Sequence, residues 1–138
     1  MRYKRLLKIA KKIDTQHRIK SSKIIQMLGR DAKFIGRGRY KRAFLVRSNK
    51  KQLILKVGAV YGDALPFIDM KGKRVTKFAK IYWMTKHCLL QKYCDKKVTW
   101  GAITEVRKAW KKAGYNDIKP ANMGLLNGKI TVFDAGLK

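Results

Sequence analysis

Three β-rich runs between residues 33 and 57 constrain this chain most. AKFIGRGRY, KRAFLVRS and QLILKVG are dense in Phe, Ile, Leu, Val and Tyr, the side chains that suit a pleated, half-buried surface. Gly36 and Gly38 mark a first turn and Ser48-Asn49-Lys50-Lys51 a second. Connections this short join neighbours, so the runs predict an antiparallel three-stranded meander. Alternation puts Ile54 and Lys56 on one face of the third run and Leu53, Leu55 and Val57 on the other. Taken alone, Lys56 in a lysine-rich chain reads as a half-exposed strand lysine.

Helices are expected on both sides of the meander. Residues 3–13 place Leu6, Leu7, Ile9, Ala10 and Ile13 on one stripe with lysines in the gaps, a basic amphipathic helix. Such a helix docks on its own domain with its lysines in water, or lies on a membrane surface or nucleic acid. A second helix is expected from an N-cap at Ser21 or Ser22 to Gly29. Residues 58–73 read as irregular. Across 74–93, Val75, Phe78, Ile81, Tyr82, Cys88, Leu89 and Tyr93 recur at helical spacing and predict a long buried helix. A connector from Asp95 to Trp100 follows, then a helix from Ile103 to Ala113 ended by Gly114. Leu125-Leu126, the turn Asn127-Gly128 and the return strand Lys129 to Asp134 form a hairpin.

Composition narrows the partners. The 138 residues are 46% hydrophobic, enough for one domain with a real core. Lys and Arg number 35 against 8 Asp and Glu, a net charge of +27. An excess that large exceeds what solubility needs and favours polyanions, DNA or RNA first. Residues 1–51 carry 18 of the cations and 2 of the acids. Cys88 and Cys94 supply neither a disulfide framework nor a zinc quartet. His17 is far in sequence from His87, and nothing predicts their convergence with further ligands. No apolar run is long enough for a transmembrane segment, and the basic start lacks a signal-peptide core.

The densest chemistry is the run YNDIKPANMG, Tyr115 to Gly124, followed by FDAG, Phe133 to Gly136. Asp117, Lys119, Asn122 and Asp134 combine two carboxylates, an amide and an ammonium. Hard Mg²⁺ takes carboxylate and amide oxygens beside phosphate, and lysine offsets phosphate charge. Singly, Asp117 and Asn122 would serve as turn residues and Asp134 as a strand end. Glycines in the 36–38 turn let backbone approach a phosphate, although hairpins use glycine anyway.

Taken in order, from Phe34 to Gly136, the chain resembles the protein-kinase-like superfamily. A glycine-rich hairpin, a strand lysine, the DIKPAN loop and the Asp-x-Gly follow that family's sequence of motifs. The resemblance implies an α+β fold with a small antiparallel N-lobe sheet and a reduced helical C-lobe, at residues 33–138 behind a basic helical extension, 1–32. It implies ATP and Mg²⁺ as cofactors. Gly36, Gly38 and Lys41 would lie over the nucleotide phosphates, and Lys56 would hold the α- and β-phosphates. Asp117 would accept the proton of a substrate hydroxyl, and Lys119 would steady the γ-phosphate. Asn122 and Asp134 would hold the metal.

The departures are specific. Lys41 replaces the third glycine of the loop, Tyr115-Asn116 replaces His-Arg before the catalytic Asp, and Ala135 replaces the Phe after the metal Asp. No Glu stands on the expected long helix to pair with Lys56. Asp69 is the nearest acid, and the only glutamate, Glu105, faces away from the Ile103-Val106-Trp110 stripe. Where a kinase has two further strands and a hinge, Asp95 to Trp100 is all that is expected, which leaves the adenine pocket incomplete. The sequence ends two residues after Gly136, so the peptide-docking helices are expected to be missing, or a partner chain to complete the C-lobe.

Two functions stay open on the sequence. One is a kinase-like ATP/Mg²⁺ binder, a phosphotransferase acting on a small or nucleic-acid-associated substrate. The other is a catalytically inactive, kinase-derived basic module that binds nucleic acid or another polyanion, including a structural role in a virion or ribonucleoprotein particle. Compact kinases of this kind occur in bacteria and phages, which implies the cytoplasm, or the host cytoplasm or virion if viral.

Overall fold

The structure, a computed structural model, describes residues 1–38, 40–60, 77–93, 100–112, 114–115, 123–126 and 129–132. It is α+β and divides into two compact units, Met1–Tyr61 with Ile81–Tyr93, and Gly62–Lys80 with Cys94–Lys138.

The first unit is a five-stranded antiparallel sheet backed by two helices. Helix α1 spans Tyr3–Thr15 and α2 spans Ser21–Leu28. Strands β1 (Ala32–Arg37), β2 (Lys41–Ser48) and β3 (Lys51–Gly58) form the expected meander. Asn49 and Lys50 turn the second hairpin with φ of 50° and 66°, the left-handed pair that a tight two-residue hairpin needs. Leu6, Ala10 and Ile13 of α1 and Ile24 and Leu28 of α2 pack on Phe44, Val46, Leu53, Leu55, Val57, Cys88 and Leu90. Burying each large aliphatic here contributes about 1.5–3 kcal/mol. The amphipathic stripe of α1 is therefore spent on the domain core. Ser21 and Ser22 do not cap α2. Lys20 stands at the cap, and the Ser21 hydroxyl instead accepts a 3.1 Å hydrogen bond from Arg42 Nη1.

The long helix expected over 74–93 is not formed. Among its described residues are β4 (Lys77–Phe78), β5 (Ile81–Met84) and β6 (Cys88–Lys92). Strand β6 pairs with β3 and β5 with β6, giving the order β1-β2-β3-β6-β5. Two strands thus follow β3 in the same sheet, where sequence spacing had left room only for Asp95 to Trp100. The cause is burial. Cys88, Leu89, Leu90 and Gln91 of β6 are all buried, so the strand is covered on both faces and lacks the alternation that would mark it. An unbroken apolar run of this length fits a helix and a buried strand equally well. The β5–β6 turn also lacks glycine and proline. Its amide–carbonyl bond runs from Thr85 N–H to Cys88 O at 2.8 Å, and the Thr85 hydroxyl accepts from Cys88 N–H at 3.2 Å.

The second unit holds α3 (Thr104–Lys112), preceded by a single 3-10 turn, and strands β7 (Met123–Leu126) and β8 (Lys129–Val132). These strands form the expected hairpin, with Leu126 opposite Lys129, and β4 adds to β8 in parallel. Trp110 and Tyr115 are fully or nearly fully buried and meet edge-to-face at 5.3 Å. Glu105 points to solvent on α3, 4.0 Å from Lys108. Among the described residues no helix is long and apolar enough to cross a membrane.

Candidate functional site

The four described candidate residues share one sheet face. Cross-strand register places Gly36 beside Ala43, Ala43 beside Lys56, Lys56 beside Leu89, and Leu89 beside Met84. These five residues form a row across the whole sheet. A register shift between Phe34 and Gly36 sets its start: the extra residue turns Gly36 onto the Lys56 face, while Phe34 stays with Phe44 on the other. Gly38 and Lys41 fall on the Lys56 face by alternation, joined by a 2.8 Å bond from Gly38 N–H to Lys41 O. The helices cover the opposite face.

Lys56 is 5% exposed, so the half-exposed reading of this lysine is corrected. Alternation alone cannot reveal this, because β3 is central and buried along Leu53 to Val57. A buried ammonium is tolerated only with acceptors around it, so its position is not casual. Its two lateral neighbours toward β1 are the smallest side chains available, the methyl of Ala43 and no side chain at Gly36. A Cβ added at Gly36 would meet nothing within 4 Å, and one at Gly38 would come no closer than 3.8 Å to Lys41 O. The glycines are therefore not demanded by crowding from the protein itself. At Gly36 the space beside the backbone is open.

Gly58 is different. Its φ is +130°, and a Cβ there would collide with the Tyr40 carbonyl oxygen and stand 2.9 Å from Lys41 Cα. Ala59 N–H donates to Tyr40 O at 3.0 Å, and Gly58 N–H to His87 O at 2.8 Å. The end of β3 thus holds the start of β2 against it, two residues from Lys56. Sequence reasoning did not single out Gly58, although a glycine closing an apolar strand is the signal that would have found it.

A polar clasp was also missed. Asp14 Oδ1 accepts from the Thr85 hydroxyl at 2.8 Å and from His87 N–H at 2.9 Å, tying α1 to the β5–β6 turn. Arg42 donates to Ile19 O at 2.7 Å and His17 O at 2.6 Å. His17 and His87 do converge, with rings stacked at 3.6 Å. Burial, then the charge of Asp14, pushes the Cys88 thiol up to about 12, against the opposing effects of the Thr85 hydrogen bond and Arg42. Partners 71 and 73 residues apart leave no local pattern to read.

Asp117, Lys119, Asn122 and Asp134 lie outside the described residues, as does Asp69. The strands between them are described, although the turn residues Asn127 and Gly128 lie outside the described residues; Met123, which follows Asn122, pairs with Val132, two residues before Asp134. Among the described residues no group of three or more His, Cys, Asp or Glu is placed to hold a metal. No protein-family model matches the chain, and no curated protein matches it.

Proposed function

We propose that the chain binds a nucleoside triphosphate with Mg²⁺ in the manner of a kinase and passes the terminal phosphoryl group to a small or nucleic-acid-associated hydroxyl. The observation that carries this reading is Lys56, buried in the central strand and aligned with Ala43 and the open position Gly36. A cation fixed beside a single methyl and a bare glycine suits a polyphosphate. The strand order, with β5 and β6 following β3, also supports it, since the kinase pattern needs two further strands there.

Lys56 would hold the α- and β-phosphates while the backbone at Gly36 and Gly38, with Lys41, lies over the chain of phosphates. Asn122 and Asp134 would hold Mg²⁺, which supplies charge neutralisation at the phosphate oxygens. Asp117 would accept the acceptor's hydroxyl proton as that oxygen bonds to the γ-phosphorus and the bond to the departing nucleoside diphosphate breaks. Lys119 would steady the transferred group.

The test is Mg²⁺-dependent ATP binding and γ-phosphate transfer for the parent, Asp117→Ala and Asp134→Asn at moderate salt. Asp134→Asn is expected to lose the Mg²⁺ dependence of binding. Asp117→Ala is expected to bind normally and lose transfer by about 100-fold or more. Three proteins that behave alike would end the reading.

A further inference from the structure

The strongest unexplained feature of the first unit lies away from the Lys56 row. An open groove of about 990 Å³ runs between the first turns of α1, the end of α2 and the β2–β3 turn. Arg2, Lys4, Arg5, Lys8 and Arg30 line it, all five exposed. No described carboxylate pairs with any of them. Asp31, the acid in the lining, is 3.1 Å from the Met1 ammonium and is neutralised there.

The groove is also preorganised. Asn49 N–H donates to Met1 O at 3.1 Å, which fastens the start of α1 to the β2–β3 turn. No acid occupies the first turn of α1 and no side chain caps it, so the helix end adds to the positive potential. Gly29, with φ +81° and nothing within 4 Å of an added Cβ, leaves the floor open.

We propose that this groove seats the phosphodiester backbone of a nucleic acid, held by charge rather than by base reading. Spacing fits: Lys4 and Lys8 rise about 6 Å along the helix, close to two phosphate steps on one strand at about 3.4 Å of rise each. An anionic membrane is the rival for a basic helix. That mode requires the apolar stripe to enter the acyl boundary, and here Leu6, Ala10 and Ile13 are fully buried in the core. The proposal goes beyond the nucleotide reading and is independent of it.

The experiment is fluorescence anisotropy of labelled duplex DNA and single-stranded RNA against the full chain over a KCl series. The groove variant carries Arg2→Gln, Lys4→Gln, Arg5→Gln and Lys8→Gln. A control of equal charge carries Arg107→Gln, Lys108→Gln, Lys111→Gln and Lys112→Gln on α3. The groove variant should flatten the slope of log affinity against log salt by about 3 to 4 and weaken binding well over tenfold near physiological salt. The control should change binding about threefold or less. Arg30→Gln, which leaves α1 untouched, should act in the same direction as the groove variant. Equal losses in the groove variant and control would overturn the proposal. So would loss of binding to phosphatidylserine vesicles with nucleic-acid binding retained.

Discussion

Replacing Gly58 by alanine probes the local geometry on which the candidate site depends. Two costs add. The φ of +130° is a conformation that side chains rarely adopt, worth about 1–3 kcal/mol of strain. The new methyl must also displace the Tyr40 carbonyl and Lys41 Cα, backbone atoms held by the Ala59–Tyr40 hydrogen bond, which adds about 1–3 kcal/mol of overpacking. The sum is about 2–6 kcal/mol, a large share of a stability of about 5–15 kcal/mol. With a urea slope of about 1–3 kcal/mol/M, the midpoint should fall by at least about 0.7 M. Gly36→Ala is the control in the same sheet. It meets nothing within 4 Å and has no positive φ, so its change should stay within about 0.5 kcal/mol. Urea titrations followed by far-ultraviolet circular dichroism measure both. If Gly58→Ala unfolds at the parent's midpoint, Tyr40 and Lys41 do not lie against the end of β3, and the placement of the glycine turn over the Lys56 face fails with it.

Asp14→Ala should cost about 1–3 kcal/mol by stranding the Thr85 hydroxyl and His87 N–H, whereas Asp14→Asn, which keeps an acceptor, should cost less; urea midpoints of the two variants decide this. The Cys88 thiol, raised from 9.0 to about 12 by burial first, favours its neutral form in the fold. Its contribution is present below pH 9 and is lost as pH rises from about 9 toward 12, so in a Cys94→Ser background the stability difference between the parent and Cys88→Ala should shrink over that interval. Gly36→Val should leave the urea midpoint nearly unchanged and weaken ATP binding, because its side chain enters the space beside Ala43 and Lys56; calorimetric titration measures the second effect.

The meander was legible because its turns are punctuated: Asn49-Lys50 and the 36–38 glycines announce themselves, and β1, β2 and β3 fall where the runs do. The β7–β8 hairpin was legible for the same reason, through Asn127-Gly128. Strands β5 and β6 were not, because β6 is buried on both faces and the Thr85–Cys88 turn is stabilised by a hydroxyl and by Asp14 from 71 residues away, neither of which leaves a local mark. The sharing of one face by Gly36, Gly38, Lys41 and Lys56 depends on the register shift at Phe34/Gly36, a property of strand pairing rather than of either strand alone. The burial of Lys56 likewise follows from the position of β3 at the centre of the sheet, which required β6 to be recognised as a strand.

The proposed function makes Lys56 the anchor of a nucleotide's phosphates. Calorimetric titration of ATP into the parent and Lys56→Met, with and without MgCl₂, tests it at about 0.3 M KCl, where the Debye length is short enough to suppress nonspecific attraction to the net charge of +27. The parent should bind with a clear Mg²⁺ dependence. Lys56→Met, with an unchanged circular dichroism spectrum, should bind at least about tenfold more weakly, a loss of about 1.4 kcal/mol. Equal affinity of a folded Lys56→Met and the parent would contradict the account.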